Sequence, residues 1–350
     1  MKTEIIKIDV NNMDKSGIRY AAEVLKSGGL VAFPTETVYG LGANALNETA
    51  VKNIFVAKGR PSDNPLIVHI ADRCEVDKLV TYIPACAHDL MEKFWPGPIT
   101  LIMEKSNLVP LSVTAGLNTV GIRMPSNLVA HELIRESGVP VAAPSANTSG
   151  RPSPTNAAHV IEDLFGRVDV IIDAGSCSVG VESTVLDTTS SPPVILRPGG
   201  VTLEQLEKVL GEVTLDPAIL TERNGDFVPK APGMKYKHYS PKGQVIIVEG
   251  ALDNVVSKIN ELIGEYSSKG LRVGVMSTDQ TSSSYQGAEV ISLGNRKNAS
   301  EIAANLFKVL REFDEKKTEI ILAESVSSSG IGLAIMNRLN KAAGYNIIKV

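Results

Sequence analysis

Only 3 cysteines occur in the 350 residues, and Cys74, Cys86 and Cys177 form no C-x-x-C pair. An odd number of scattered thiols excludes a disulfide framework and argues against a structural zinc site. Histidine is almost as scarce: His69, His88, His131, His159 and His238 include no H-x-x-x-H pair, so a protein-built metal centre is not expected. No segment reaches the roughly 18 uninterrupted apolar residues of a membrane span. The N-terminal stretch from Met1 to Val10 breaks its apolar steps with charges, so it is no signal core and reads as a first strand. Aromatic residues make up 5%, the net charge is −4 and the pI is near 5.8. These values do not describe a chain that holds nucleic acid by bulk electrostatics, and any RNA contact should be local or transient. Together the absences point to a cytoplasmic protein without membrane attachment.

What is present fits a globular α/β protein. Hydrophobic residues make up 43% and charged residues 21%, and the length suits two domains with a well-buried core. Asp14 can cap a helix whose apolar positions Ile18, Ala21, Ala22 and Leu25 recur at helical spacing, and Gly28-Gly29 can end it. Apolar runs predict strands near 30–34, 66–70, 99–104, 119–124, 139–143, 168–173, 183–187 and 193–197. Helices fall near 48–57, 87–94, 127–137, 156–165 and 203–210. Strands and helices interleave without strict alternation, which predicts a mixed twisted sheet. Periodicity is lost over 212–231, a connecting segment. From 244 onward a β-α-β-β-α-β order predicts a smaller Rossmann-like α/β domain. The Ser329-Gly330-Ile331-Gly332 loop has a weak phosphate-loop look, and close packing of the next helix on the sheet is the preferred explanation.

Two small-residue segments carry the chemistry. Lys58-Gly59-Arg60-Pro61-Ser62-Asp63-Asn64-Pro65 puts two cations on a proline-braced loop. Ala143-Pro144-Ser145-Ala146-Asn147-Thr148-Ser149-Gly150 offers hydroxyls, an amide and backbone N–H groups. Cations and donors that converge suit a ligand with several negative oxygens. Either segment alone also reads as an ordinary solvated helix end or turn. Further segments of the same type follow strands: Phe33-Pro34-Thr35-Glu36-Thr37-Val38-Tyr39-Gly40-Leu41-Gly42, Trp95-Pro96-Gly97-Pro98, Val120-Gly121-Ile122-Arg123-Met124-Pro125, Gly180-Val181-Glu182-Ser183-Thr184-Val185 and Ile195-Leu196-Arg197-Pro198-Gly199. A stretch at 232–241 crowds Lys235, Tyr236, Lys237, His238 and Tyr239 between prolines. It reads either as a stiff spacer or as a lid.

In this order the segments resemble the threonylcarbamoyl-AMP synthase family, the YrdC-like or Sua5-like proteins, in the long form with an added C-terminal domain. The resemblance implies a YrdC-like catalytic domain over 1–211, a linker or lid over 212–243 and a Sua5-type domain over 244–350. It implies that L-threonine, bicarbonate and ATP are joined into threonylcarbamoyl-adenylate with release of pyrophosphate, and that the product feeds the t6A modification of tRNA. A downstream t6A transferase machinery and at most transient tRNA contact would follow. Positioning and charge neutralisation must then carry most of the barrier reduction.

On that resemblance Lys58 and Arg60 would grip the phosphates and stabilise charge on the pentavalent phosphorus. Ser62, Asn64, Thr119, Ser145, Asn147, Ser153, Arg197 and His238 would complete the ATP site, although Arg197 alone also reads as a surface salt bridge. Thr35, His69, Arg123, Ala143 and Ser183 would line the threonine pocket, with Arg123 on the carboxylate. An isolated histidine such as His69 in an apolar strand is also a common core residue. Glu36 and Glu182 lie within motifs and read as structural or supporting residues, without an assigned role. Magnesium would arrive on the triphosphate. The rival readings are an RNA-binding module of the same fold and a carbamoyl-transfer partner in metallocentre assembly; the acidic pI counts against the first and the scattered cysteines against the second.

Overall fold

The structure, a computed structural model, describes residues 2–219, 229 and 239–350. His238 and most of the expected lid therefore lie outside the described residues. Two compact units divide the chain: residues 2–149 and 153–219 belong to the first, and residues 150–152 and 239–350 to the second.

The first unit is built on one mixed sheet. Its strands are β1 (Glu4–Lys7), β2 (Val31–Phe33), β3 (Gly40–Asn44), β4 (Ile67–His69), β5 (Ile99–Glu104), β6 (Thr119–Arg123), β7 (Val141–Ala142), β8 (Val170–Asp173), β9 (Thr184–Asp187), β10 (Val194–Arg197) and β11 (Thr214–Leu215). They lie in the order β1-β8-β2-β3-β7-β4-β6-β5-β9-β10-β11. The mixed twisted sheet anticipated from the alternation of elements is thus present. Helix Lys15–Lys26 begins where the Asp14 side chain accepts from the Ser16 N–H, and it buries Ile18, Ala21, Ala22 and Leu25. Those side chains pack with Val129, Ala130, Leu133 and Ile134 of helix Leu128–Ser137 over Val31, Phe33, Val141, Val170 and Ile172.

Strand β3 has no apolar alternation to announce it, because two of its five residues are glycine. The glycines admit close pairing: a Cβ on Gly42 would sit 2.7 Å from the Phe33 ring and 2.9 Å from Val141. Part of the expected connecting segment also joins this sheet, since Thr214 and Leu215 pair in parallel with Val194 and Ile195. A two-residue strand carries no period, so its pairing depends on the partner it meets.

The second unit holds β12 (Gln244–Glu249), β13 (Val273–Ser277), β14 (Glu289–Ser292), β15 (Ile320–Glu324) and β16 (Ile347–Lys349), all parallel, in the order β14-β13-β15-β12-β16. Helices Leu252–Ser268, Ala299–Glu315 and Gly332–Ala343 connect them, as in a Rossmann-like domain. A Cβ on Gly332 would meet the Ser327 carbonyl at 1.9 Å. That glycine therefore closes its own loop rather than easing the helix onto the sheet. The segment 150–152 is held within this unit: Arg311 Nη2 donates to the Pro152 carbonyl at 2.6 Å, and the Ser240 N–H donates to Gly150 O at 2.9 Å. The Tyr239 ring stacks on Phe307 with centroids 5.2 Å apart. Of the rings expected to cover a ligand, this one is spent on packing the second unit.

Candidate active site

The two small-residue segments meet directly. Helix Glu48–Lys58 starts on the Asn47 side chain and ends at Gly59, whose φ of 61° lets the chain turn out of the helix. That exit buries Lys58, and its ammonium donates to the carbonyl oxygens of Ser145 and Asn147, each at 2.5 Å. The Ser149 N–H returns a bond to the Lys58 carbonyl at 3.0 Å. The loop itself is ordered by Ser145 Oγ donating to Asn147 Oδ1 at 2.6 Å and by Asn147 Nδ2 donating to Thr148 O at 2.8 Å. Lys58 is thus a fastening as well as a cation. Arg60 is half-buried two residues later, Ser62 is exposed, and Asn64 is fully buried with neither amide atom hydrogen-bonded. An unsatisfied buried amide marks a place where a polar partner is wanted.

Strands β4 and β6 run side by side and set the axis of the site. Ile67 pairs with Gly121 and His69 with Arg123. The antiparallel strand β7 brings its exit to the start of β4, where the Ala143 N–H donates to Ile67 O at 2.9 Å. The loop from Ala143 to Asn147 therefore lies at the Ile67 end. Thr119, the first residue of β6, lies at that end too, roughly 13 Å along the strand from Arg123. Alternation puts Thr119, Gly121 and Arg123 on one face. Ile67, Ile102, Val185 and Leu196 form a small apolar cluster of their own, separate from the helix-covered core over β2 and β8.

At the other end Arg123 is the hub. It is 4% exposed, its Nη1 donates to Thr37 Oγ1 at 2.9 Å and its Nε to Gly97 O at 3.3 Å. Its Nη2 stands 2.7 Å from Glu36 Oε1 without the alignment of a hydrogen bond. Thr37 was not anticipated; the only cue was its place two residues after Thr35. The Thr35 hydroxyl is already engaged, donating to Val38 O at 2.7 Å and touching Thr37 Oγ1 at 2.7 Å. His69 packs edge-on against Phe33, and no partner meets its Nδ1. Burial, and then the charge of Arg123, lower its pKa to about 3, so the ring is neutral.

Ser183 and Arg197 join this end through β9 and β10. Arg197 donates to the Ser183 carbonyl through Nε at 3.1 Å and Nη2 at 3.0 Å, and Nη2 also reaches Ser183 Oγ at 3.1 Å. Ser183 Oγ in turn lies 2.8 Å from Thr100 Oγ1. Arg197 is buried, which rules out the surface salt bridge. Ser153 donates to Glu182 Oε1 at 2.5 Å, which gives that carboxylate a structural task. Burial, and then the charge of Glu36, push the Cys177 thiol up to about 12, which keeps Cys177 in its neutral form.

Among the described residues no three His, Cys, Asp or Glu side chains gather as a metal site, and no helix is long and apolar enough to cross a membrane. The arrangement suits a long ligand with an anionic end near Lys58 and a small amphoteric end near Arg123.

A family model described as "Telomere recombination", covering Sua5, YciO and YrdC proteins, matches residues 23–199, and one described as "Threonylcarbamoyl-AMP synthase, C-terminal domain" matches residues 201–344. A threonylcarbamoyl-AMP synthase of Pyrococcus abyssi is 54% identical over 95% of this chain and 96% of its own length. Its Bacillus subtilis counterpart is 50% identical over 100% of both. The crystal structure of P. abyssi Sua5 complexed with L-threonine covers 99% of both chains at 53% identity with a TM-score of 0.95. YciO of E. coli matches 57% of this chain and 96% of its own at 26% identity and a TM-score of 0.51. The chain belongs to the threonylcarbamoyl-AMP synthase family, in the Sua5 form that carries the additional C-terminal domain.

Proposed function

We propose that this synthase joins L-threonine, bicarbonate and ATP into threonylcarbamoyl-AMP, pyrophosphate and water along the β4–β6 axis, with the triphosphate at the Ile67 end and threonine at the Arg123 end. The observation that carries this layout is the strand register: it separates the Lys58, Ser145 and Asn147 loop from the His69–Arg123 pair by the length of a short strand. Arg60 faces the phosphates as a forked donor, and Lys58 adds its charge to the loop it fastens. Asn64, Thr119, Ser145 and Asn147 complete the nucleotide side. Ser62 and Ser153 contribute less, the first exposed and the second occupied by Glu182.

Arg123 takes the threonine carboxylate. Neutral His69 offers its unpartnered nitrogen to the hydroxyl, and the Ala143 backbone and Ser183 line the same end. Thr35, whose hydroxyl is spent locally, shapes this pocket through the turn it holds. Arg197, bound to Ser183, lies nearer the threonine side than the triphosphate and is well placed for the α-phosphate, where the two substrates meet. The carbamate oxygen attacks there and pyrophosphate leaves toward Lys58 and Arg60. Magnesium enters on the triphosphate, whose oxygens it prefers. The reaction would take place in the cytoplasm and supply the t6A transferase machinery, with tRNA contact at most transient. ATP consumption that requires both threonine and bicarbonate tests the proposal.

A further inference from the structure

The Arg123–Glu36 contact is an odd one for a structural ion pair. Both side chains are more than nine-tenths buried, at 4% and 7% exposure. A buried pair is worth its desolvation only when hydrogen bonds use up the remaining donors and acceptors. Here the 2.7 Å contact lacks that alignment, and Arg123 Nη2 and both Glu36 oxygens have no hydrogen-bond partner. The backbone nevertheless fixes Glu36 firmly, because its carbonyl accepts from the Val179 N–H at 2.8 Å and the next carbonyl, of Thr37, from the Gly180 N–H at 3.1 Å. A cation and an anion are therefore held side by side with capacity unspent, and Arg123 pairs across the strands with His69, whose Nδ1 has no partner.

We propose that Glu36 is the subsite for the ammonium group of the amino-acid substrate. This rests on the assignment of threonine's carboxylate to Arg123. A lone carboxylate entering this pocket would face Glu36 as a like charge, and only a ligand with its own cation resolves the conflict. A zwitterion does so, because its carboxylate accepts from Arg123 Nη2 and its ammonium donates to Glu36, giving alternating charges with each buried group satisfied. Thr37 holds the other guanidinium nitrogen, so Arg123 need not swing when the ligand arrives. Glu36 then selects α-amino acids over hydroxy acids of the same shape. The amine to be carbamoylated is thereby held beside the neutral histidine.

Calorimetry of the full chain and of Glu36→Gln with L-threonine and with (R)-3-hydroxybutanoate, which lacks only the amine, tests this. The expected result is a roughly 10- to 100-fold loss for L-threonine in the variant, with hydroxybutanoate and ATP bound no more weakly. An equal loss for both small ligands would overturn the proposal, leaving Glu36 to position Arg123 alone, and so would an unchanged affinity for threonine. Should Glu36→Gln not fold, Glu36→Asp keeps the charge and shortens the reach, and its loss should again be confined to L-threonine. If Arg123→Ala binds L-threonine as well as the full chain does, the underlying assignment fails, and this proposal with it.

Discussion

The ammonium of Lys58 lies 2.5 Å from the carbonyl oxygen of Asn147 and at the same distance from that of Ser145. The cation that leads the phosphate-binding candidates is therefore also the tie between two distant segments. Lys58→Ala should lower pyrophosphate release by ~2–4 kcal/mol of barrier, and it should also cost about 1–3 kcal/mol of stability, because buried carbonyls lose a charged donor. Arg60→Ala should show the catalytic loss as well. Turnover and thermal unfolding of the two variants decide the matter; an unchanged melting temperature for Lys58→Ala would contradict the fastening role.

Arg123→Ala should weaken threonine much more than ATP, since the register puts Arg123 at the end of β6 away from the Lys58 loop. Separate titrations with the two ligands read this directly. A loss confined to ATP would move Arg123 to the nucleotide side.

His69 makes stability depend on pH. Its pKa falls from 6.5 in the unfolded chain to about 3 in the fold, because burial and Arg123 disfavour the charged ring. The unfolded state alone gains a proton between those values, so stability is complete above pH 6.5 and is lost as pH falls toward 3, by at most about 1.4 kcal/mol per pH unit. Replacement by glutamine should flatten the curve over that window. Parallel curves for the two proteins would mean that His69 does not titrate as its surroundings require.

Gly199 follows Arg197-Pro198, and a Cβ there would stand 2.2 Å from the Thr184 nitrogen and 2.3 Å from the Glu182 carbonyl. Gly199→Ala must push this loop off the 182–184 backbone and release Arg197 from Ser183. A stability loss of ~1–3 kcal/mol is expected, together with loss of turnover. A fully active variant would show that the Arg197–Ser183 contact is dispensable.

Much of the fold was legible because its helices and many of its strands carry a clear period, as in Ile18, Ala21, Ala22 and Leu25 or the run Ile99-Thr100-Leu101-Ile102. β3 and β11 were not, since Gly40-Leu41-Gly42 and Thr214-Leu215 form strands only where neighbours receive them. In the site the residue types pointed to anion and amino-acid chemistry, but composition cannot say what a side chain already holds. Thr35 and Ser153 have the hydroxyls of ligand groups yet hold local partners, while Glu36 gains its meaning from Arg123, which the fold sets beside it. Such pairings join residues far apart in the chain, and only the fold brings them together.

The most direct measurement is pyrophosphate release from ATP by the full chain, with threonine and bicarbonate added singly and together. The account predicts release only when both are present, with threonylcarbamoyl-AMP formed in equal amount and no turnover when (R)-3-hydroxybutanoate replaces threonine. Release from ATP alone, or release that ignores bicarbonate, would contradict it.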